Sequence, residues 1–479
     1  MNYSMIAYIT GWVLKVEAAF LILPCIVALI YREEDVRAFL LSILICGGTG
    51  LILTRKRPRS TMFNIKEGYV TVALCWIVMS IMGALPFLFS GTITNPVDAL
   101  FETVSGFTTT GASILTDVEV VSKCVLFWRS FTHWIGGMGV LVFLLTVLPM
   151  VGGSHMNLMK AESPGPSVSR LVPKVRSTAK ILYEIYIAMT ILQVILLLIG
   201  RMPLFDALTI TFGTAGTGGF AILNDSLASY STYIQVVVTI FMILFGVNFN
   251  VYFLILAKHV IQALKIEELW GYLGVIAAAI LIITWDLRGI YDSIPEAMQQ
   301  AAFQVASIIT TTGYASTDFN LWPEVSRTVL VILMFIGACA GSTGGGIKVS
   351  RLIILCKTIR REMVQITHPK SVMKIKMDGK TVEDEVIQST HVFMIAYLII
   401  FTVSVLIVGI DGHDLITNFT AVAATFNNVG PGLELVGPVS NFSLFSDPVT
   451  LVLTFDMLAG RLEIFPLLIL FMRSTWKKF

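Results

Sequence analysis

The stretch Gly106-Phe107-Thr108-Thr109-Thr110-Gly111-Ala112 follows a moderately apolar run, Leu100-Phe101-Glu102-Thr103-Val104-Ser105. Together they are too short to cross a bilayer, which takes about 20 apolar residues. The pattern returns as Phe212-Gly213-Thr214-Ala215-Gly216-Thr217-Gly218-Gly219-Phe220, again over Phe303 to Tyr314, and again over Phe419 to Pro431. Aligned on one glycine (Gly111, Gly218, Gly313 and Gly430), the copies recur roughly every hundred residues, room for two spans and one short segment each. The expected fold is therefore all-α and membrane-integral. It has four tandem repeats of helix, re-entrant loop, helix with pseudo-fourfold symmetry around one pore, preceded by two extra N-terminal transmembrane helices.

Outward from these copies, apolar spans fall near 18–31, 38–54, 68–90, 125–149, 180–200, 233–257, 271–285, 328–356, 391–410 and 449–472. Of 479 residues, 56% are hydrophobic and 13% charged, against roughly 25% charged in a soluble domain, so lipid must solvate most of the surface. Lys and Arg gather after even-numbered spans: Arg55, Lys56, Arg57, Arg59 and Lys66; Lys160, Arg170, Lys174 and Arg176; Lys258 and Lys265; then Arg360, Arg361, Lys370, Lys374, Lys376 and Lys380. Arg473, Lys477 and Lys478 follow the tenth span, while 411–448 carries neither residue type. The positive-inside rule puts these connections and both termini in the cytoplasm. The run 18–31 has no small-residue cleavage site, which predicts a retained helix.

Non-helical backbone at membrane depth is tolerated only where it is buried in protein or lines water, because each unsatisfied peptide group in lipid costs several kcal/mol. Four such segments imply a shared aqueous axis. A short helix entering from outside points its partially negative C-terminal end at the membrane centre, which favours a cation there. A following glycine can take positive φ freely, so the carbonyls before it can replace hydration water. The candidate filter residues are Thr109, Thr110 and Gly111; Gly216, Thr217 and Gly218; Thr311, Thr312 and Gly313; and Asn428, Val429 and Gly430, with K⁺ there as the one bound metal ion. Glu102 has no acidic counterpart in the other copies, and either adds negative field at the mouth or serves structure.

The eighth span reads Phe335-Ile336-Gly337-Ala338-Cys339-Ala340-Gly341-Ser342-Thr343-Gly344-Gly345-Gly346-Ile347-Lys348-Val349. Interior glycine costs about 1 kcal/mol relative to alanine, so this run predicts two half-helices joined by a flexible loop. Gly341, Ser342, Thr343, Gly344, Gly345 and Gly346 are the candidate gate; the competing reading is close helix packing through small residues, as for Gly136, Gly137 and Gly139. A phosphate-binding loop does not fit, since Ile347 separates Gly346 from Lys348 and Val349 stands where a hydroxyl is needed. Arg461 lies inside the last span, where insertion costs about 2.5–3.5 kcal/mol, so it should face the pore as a barrier or a structural partner. Glu463, two positions on, is poorly placed to be that partner. Lys348 is a second candidate barrier, or a residue at the cytoplasmic edge.

Six cysteines lie singly in or beside apolar segments and six histidines are scattered without metal-ligand spacing, which argues for packing and against a redox or metalloenzyme. No nucleophile, base or metal set converges inside the spans, so an enzyme is not expected.

Gly106-Phe107-Thr108-Thr109-Thr110-Gly111-Ala112-Ser113, Gly218-Gly219-Phe220, the run 339–349, Asn427-Asn428-Val429-Gly430-Pro431-Gly432 and Gly460-Arg461-Leu462-Glu463 together resemble the motifs of the TrkH branch of the TrkH, TrkG and KtrB superfamily of microbial K⁺ transporters. The likeness covers nearly the whole chain, and the two extra N-terminal spans resemble TrkH more than KtrB. Ala221-Ile222 departs from the Ser-Thr of many relatives. The resemblance implies K⁺ uptake across the inner (cytoplasmic) membrane, a homodimer, a gating loop at 341–346, Arg461 in the pore, and a cytoplasmic ring of TrkA-type nucleotide-binding regulators. Na⁺-coupled or H⁺-coupled symport, or a weakly selective cation channel, remain alternatives. No GxGxxG unit occurs outside the spans, so no cofactor or nucleic acid is expected on this chain and regulation should come from another. The basic loop 360–380 and the tail 476–479 are candidate docking surfaces, although their charge also serves topology. The expected division is 1–66 for the extra helices, then 67–152, 153–265, 266–380 with the gate, and 381–479.

Overall fold

Asn2 caps the first helix, its side chain accepting from the Met5 N–H at 3.1 Å. Helices α1 (Tyr3–Phe20) and α2 (Ile22–Tyr31) then form one apolar rod of 29 residues, beginning well before the expected 18–31. Lys15 and Glu17 interrupt the hydropathy there, but Lys15 lies 4.6 Å from the Trp12 ring and Glu17 is buried, so neither charge meets lipid alone. Helix α3 (Val36–Thr54) runs against α1 through Gly11 and Gly50; a Cβ on Gly50 would stand 2.9 Å from the Gly11 carbonyl oxygen.

This computed structural model describes residues 1–58, 64–139, 175–371 and 373–476. Arg59, Lys160, Arg170, Lys174, Lys477, Lys478 and the end of the expected fourth span lie outside the described residues.

After α3 the chain alternates long and short helices. First come α4 (Ile65–Gly83), α5 (Leu85–Phe89), α6 (Pro96–Phe107) and α7 (Lys123–Met138). Next are α8 (Val175–Ile199), α9 (Leu204–Gly216), α10 (Thr232–Phe245) and α11 (Phe249–Leu256). A third group comprises α12 (Glu267–Leu287), α13 (Ile294–Ile309), α14 (Glu324–Ile336) and α15 (Val349–Thr367). The last comprises α16 (Asp384–Val408), α17 (Leu415–Phe426), α18 (Asp447–Arg461) and α19 (Phe465–Phe471). A two-residue-per-strand hairpin, β1 (Lys376–Met377) and β2 (Lys380–Thr381), lies between α15 and α16.

Among the described residues, six helices are long and apolar enough to cross a membrane, seven if α10 and α11, bent by 87°, count as one. The eighth and tenth expected spans are broken within the described residues. The eighth leaves helix at Ile336 and resumes at Val349, and the tenth breaks between Arg461 and Phe465, where Glu463 and Ile464 take φ of 55° and 68°.

The short helices α6, α9, α13 and α17 are the buried ones. Their threonines return hydroxyls to the carbonyl one turn back, as Thr108 does to Val104 and Thr425 to Ala421, so polar residues survive there without water. Each short helix packs on the helices of its own group and on one of another: α9 on α7, α13 on α10, α17 on α14, and α6 on α18, which closes the circle. The long helices turn Leu44, Ile52, Leu281 and Leu406 outward, the inverse of a soluble fold and the surface lipid requires.

Candidate functional site

Each short helix ends in the same turn. Thr109, Thr217, Thr311 and Asn428 sit in the left-handed region with φ of 57°, 54°, 58° and 56°. Their N–H groups return to the carbonyl three residues back, and the next N–H groups (Thr110, Gly218, Thr312 and Val429) reach back five, to Ser105, Gly213, Ser307 and Ala424, at 2.8–2.9 Å. This helix ending ordinarily has glycine or asparagine at the left-handed position. Threonine there is strained, by about 1–3 kcal/mol per residue, and persists only where the surroundings over-determine it.

A second left-handed residue follows two positions on: Gly111, Gly219, Gly313 and Gly430, with φ of 83°, 74°, 83° and 104°. In the second copy it is Gly219, so the alignment through Gly218 is one residue out. Gly218 occupies the place of Thr110, Thr312 and Val429, while Gly216 is the last residue of α9 and matches Thr108, Thr310 and Asn427. With three glycines within four residues the sequence offers no means of choosing among them; the hydrogen bonds to Gly213 decide.

The four turns interlock head to tail. A Cβ on Gly430 would stand 2.8 Å from the Thr110 carbonyl oxygen, and one on Gly111, Gly219 or Gly313 would fall still closer to the carbonyl oxygens of Gly218, Thr312 and Val429. Each glycine is thus required by the backbone of the next turn, and the fourth leads back to the first. Asn428 ties the same junction, donating to Thr110 Oγ1 and to the Met457 carbonyl at 2.9 Å each.

The loop 337–348 presses against this ring. The Gly345 N–H donates to Thr311 Oγ1 at 2.6 Å, and a Cβ on Gly344 would come within 2.9 Å of the Thr310 carbonyl oxygen. Thr343 Oγ1 donates to the Phe245 carbonyl at 3.2 Å, which docks the loop onto the break between α10 and α11. Arg461 donates to the Thr343 carbonyl at 2.9 Å and to the Gly137 carbonyl at 3.0 Å, with Gly136 as a further acceptor, so one guanidinium joins the loop to the end of α7. Lys348 is buried, not at an exposed edge, and its ammonium donates to the Gly344 carbonyl. Glu463 pairs with Arg351 in a fork, at 2.5 and 3.1 Å. Gly136 and Gly137 do allow close approach, to the Phe107 carbonyl and the Gly216 Cα.

Two residues absent from the sequence expectations hold the other side. Arg129 pairs with buried Glu102, donates to the Ala221 carbonyl at 2.8 Å and covers the Phe220 ring at 3.7 Å. Glu102 also accepts from the Ile114 N–H at 2.8 Å, so its part is structural. His133 Nδ1 donates to the Gly106 carbonyl at 2.8 Å and Nε2 accepts from the Phe220 N–H at 3.3 Å, a pairing that only the neutral ring can make. The signal was available: two ionisable residues one turn apart in an apolar helix are expensive in lipid and mark a partnered site.

Polar backbone converging inside a multi-pass helical membrane protein defines a class, that of proteins which move ions across bilayers. The family model described as TrkH, cation transport protein, matches residues 35–278 and 267–478, and the chain belongs to this family, among transporters and not enzymes. It is 36% identical over 486 residues to the Trk system potassium uptake protein TrkH of Salmonella typhimurium, and 31% over 489 residues to TrkG of Escherichia coli K12, all of both chains being covered in each comparison. The crystal structure of the potassium transporter TrkH from Vibrio parahaemolyticus superimposes with a TM-score of 0.90 at 32% identity, covering all of both chains.

Proposed function

We propose that this chain takes up K⁺ across the cytoplasmic membrane through one central pore per subunit. The observation that carries the reading is the closed circle of four turns, in which the glycine of each contacts a carbonyl of the next. In this reading the filter is formed by Thr109, Thr110 and Gly111; Thr217, Gly218 and Gly219; Thr311, Thr312 and Gly313; and Asn428, Val429 and Gly430, with backbone carbonyls standing in for water around the ion. The helix ends behind them supply partial negative charge.

Residues 341–346 act as the gate, with Arg461 and Lys348 as positive charges in the path beneath the filter; their hydrogen bonds to Thr343 and Gly344 support that placement. Both termini are cytoplasmic, the unit is a homodimer, and a TrkA-type nucleotide-binding ring controls it. The four pore units are 67–152, 153–265, 266–380 and 381–479, after an N-terminal pair in 1–66.

Reconstituted into liposomes, the protein is expected to pass K⁺ faster than Na⁺, and equal fluxes would overturn the selective reading. Deleting 342–345 is expected to raise flux; unchanged flux in folded protein would remove the gate. Ion substitution in the same assay separates uniport from H⁺-coupled or Na⁺-coupled uptake.

A further inference from the structure

Glu268, in the first turn of α12, is 3% exposed and is spent entirely on the loop and its dock. Its Oε1 accepts from the Ala340 N–H at 2.6 Å and from the Ser350 N–H at 3.2 Å, one on each side of the 341–346 run. Its Oε2 accepts from Asn248 Nδ2 at 3.2 Å, at the break between α10 and α11. That break also grips the loop through backbone: Cys339 N–H donates to the Gly246 carbonyl and Phe249 N–H to the Gly341 carbonyl, each at 3.1 Å.

Helix α15 begins at Val349 after Lys348, whose φ is 82°, and has no side-chain cap of its own. The first N–H groups of a helix need an acceptor, and an anionic one is favoured by the positive end of the helix dipole. Glu268 supplies that acceptor from another helix, and with the same oxygen holds the upstream end of the loop. One carboxylate therefore joins the entry to the loop, the exit from it and the neighbouring helix break.

We propose that Glu268 is a positioning residue for gating, a latch that holds the 341–346 loop in its docked, closed position. The proposal rests on reading that loop as the gate. Opening the loop must move Ala340 or Ser350 away from Oε1, so the latch adds to the stability of the closed state and not to ion choice. A hydrogen bond to a charged group shifts such an equilibrium by about tenfold or more.

The test is K⁺ and Na⁺ flux through the full-length chain in liposomes, for wild type, Glu268→Gln, Glu268→Asp, the 342–345 deletion, and the deletion combined with Glu268→Gln. Glutamine removes the charge that strengthens both bonds at Oε1 and sets an amide donor against Asn248 Nδ2, so Glu268→Gln is expected to raise K⁺ flux about tenfold with the K⁺ to Na⁺ ratio unchanged. Aspartate should restore part of the closure. On the deletion background Glu268→Gln should add nothing, because the restrained element is gone. Asn248→Asp, which sets a like charge against the latch, is expected to raise flux as well, and carries the test if Glu268→Gln is not monodisperse. Wild-type flux from the folded variant beside a raised flux from the deletion overturns the latch and leaves the gate standing. Multiplied effects in the combined variant, or a changed K⁺ to Na⁺ ratio, overturn it too. A deletion without effect removes the gate and the latch with it.

Discussion

Arg129 Nε lies 2.5 Å from Glu102 Oε1, and both side chains are withdrawn from solvent. The pair joins two of the four turns: Glu102 holds Ser113 and Ile114 after the first, and Arg129 holds Phe220 and Ala221 after the second. Neutralising one member, as in Glu102→Gln or Arg129→Gln, leaves the other charge buried without its partner. That loss is about 3–5 kcal/mol. Each single variant is expected to lower thermal stability in detergent markedly, while Glu102→Met with Arg129→Met recovers part of it. A double variant worse than both singles would show that the pair is not a unit.

The register of the second turn makes a separate prediction. A methyl group on Gly219 overlaps the Thr312 carbonyl and sits at positive φ, so Gly219→Ala is expected to abolish K⁺ selectivity in the liposome assay. A methyl on Gly218 instead meets the His133 ring. Gly218→Ala should therefore regain flux when combined with His133→Ala, whereas no change at His133 should rescue Gly219→Ala. The opposite pattern of rescue would return the alignment to Gly218.

Arg461 spans from the Thr343 carbonyl to the Gly137 carbonyl with one planar fork. Lysine keeps the charge but cannot reproduce the fork. Arg461→Ala is expected to raise K⁺ flux several-fold, and Arg461→Lys to raise it less. Equal flux from Arg461→Lys and wild type would mean that charge alone forms the barrier and that the tether contributes nothing.

Asp414 caps α17, accepting from Thr417 Oγ1 at 2.5 Å and from the Thr417 N–H at 2.9 Å. The Thr417 hydroxyl, and then its backbone N–H, hold the Asp414 carboxyl below its ordinary value. A depressed folded-state pKa stabilises the fold fully above the unfolded value of about 3.9, and the contribution is lost as pH falls from there through the folded value. Asp414→Ala is expected to cost about 1 kcal/mol at pH 7. Melting curves of the two proteins should begin to converge as pH falls below about 4, and a constant gap between them would refute the linkage.

Much of the fold was legible because its signals are local. Apolar runs partition into lipid whatever surrounds them, glycines permit left-handed backbone wherever they occur, and the run 337–346 cannot propagate a straight helix. The four short segments and the interrupted eighth span are read from those properties alone, and the partnered place of Arg461 from the cost of a charge in an apolar span. Where local signals mislead, they do so for stated reasons: Lys15 and Glu17 hid the first half of the first helix because hydropathy registers neither the Trp12 ring beside Lys15 nor Cys46 of α3 donating to Glu17, and Gly216, Gly218 and Gly219 gave one glycine too many to fix a register.

Tertiary structure decided the rest, because the deciding contacts join residues far apart in the chain. Nothing in the neighbourhood of Gly430 announces the Thr110 carbonyl, and nothing near Glu268 announces Ala340 and Ser350. The residue types that build four copies of one turn are written along the chain; that the turns meet in a circle, and which carboxylate holds the loop against it, exists only once distant backbone N–H and carbonyl groups have found each other inside a medium that offers them no water.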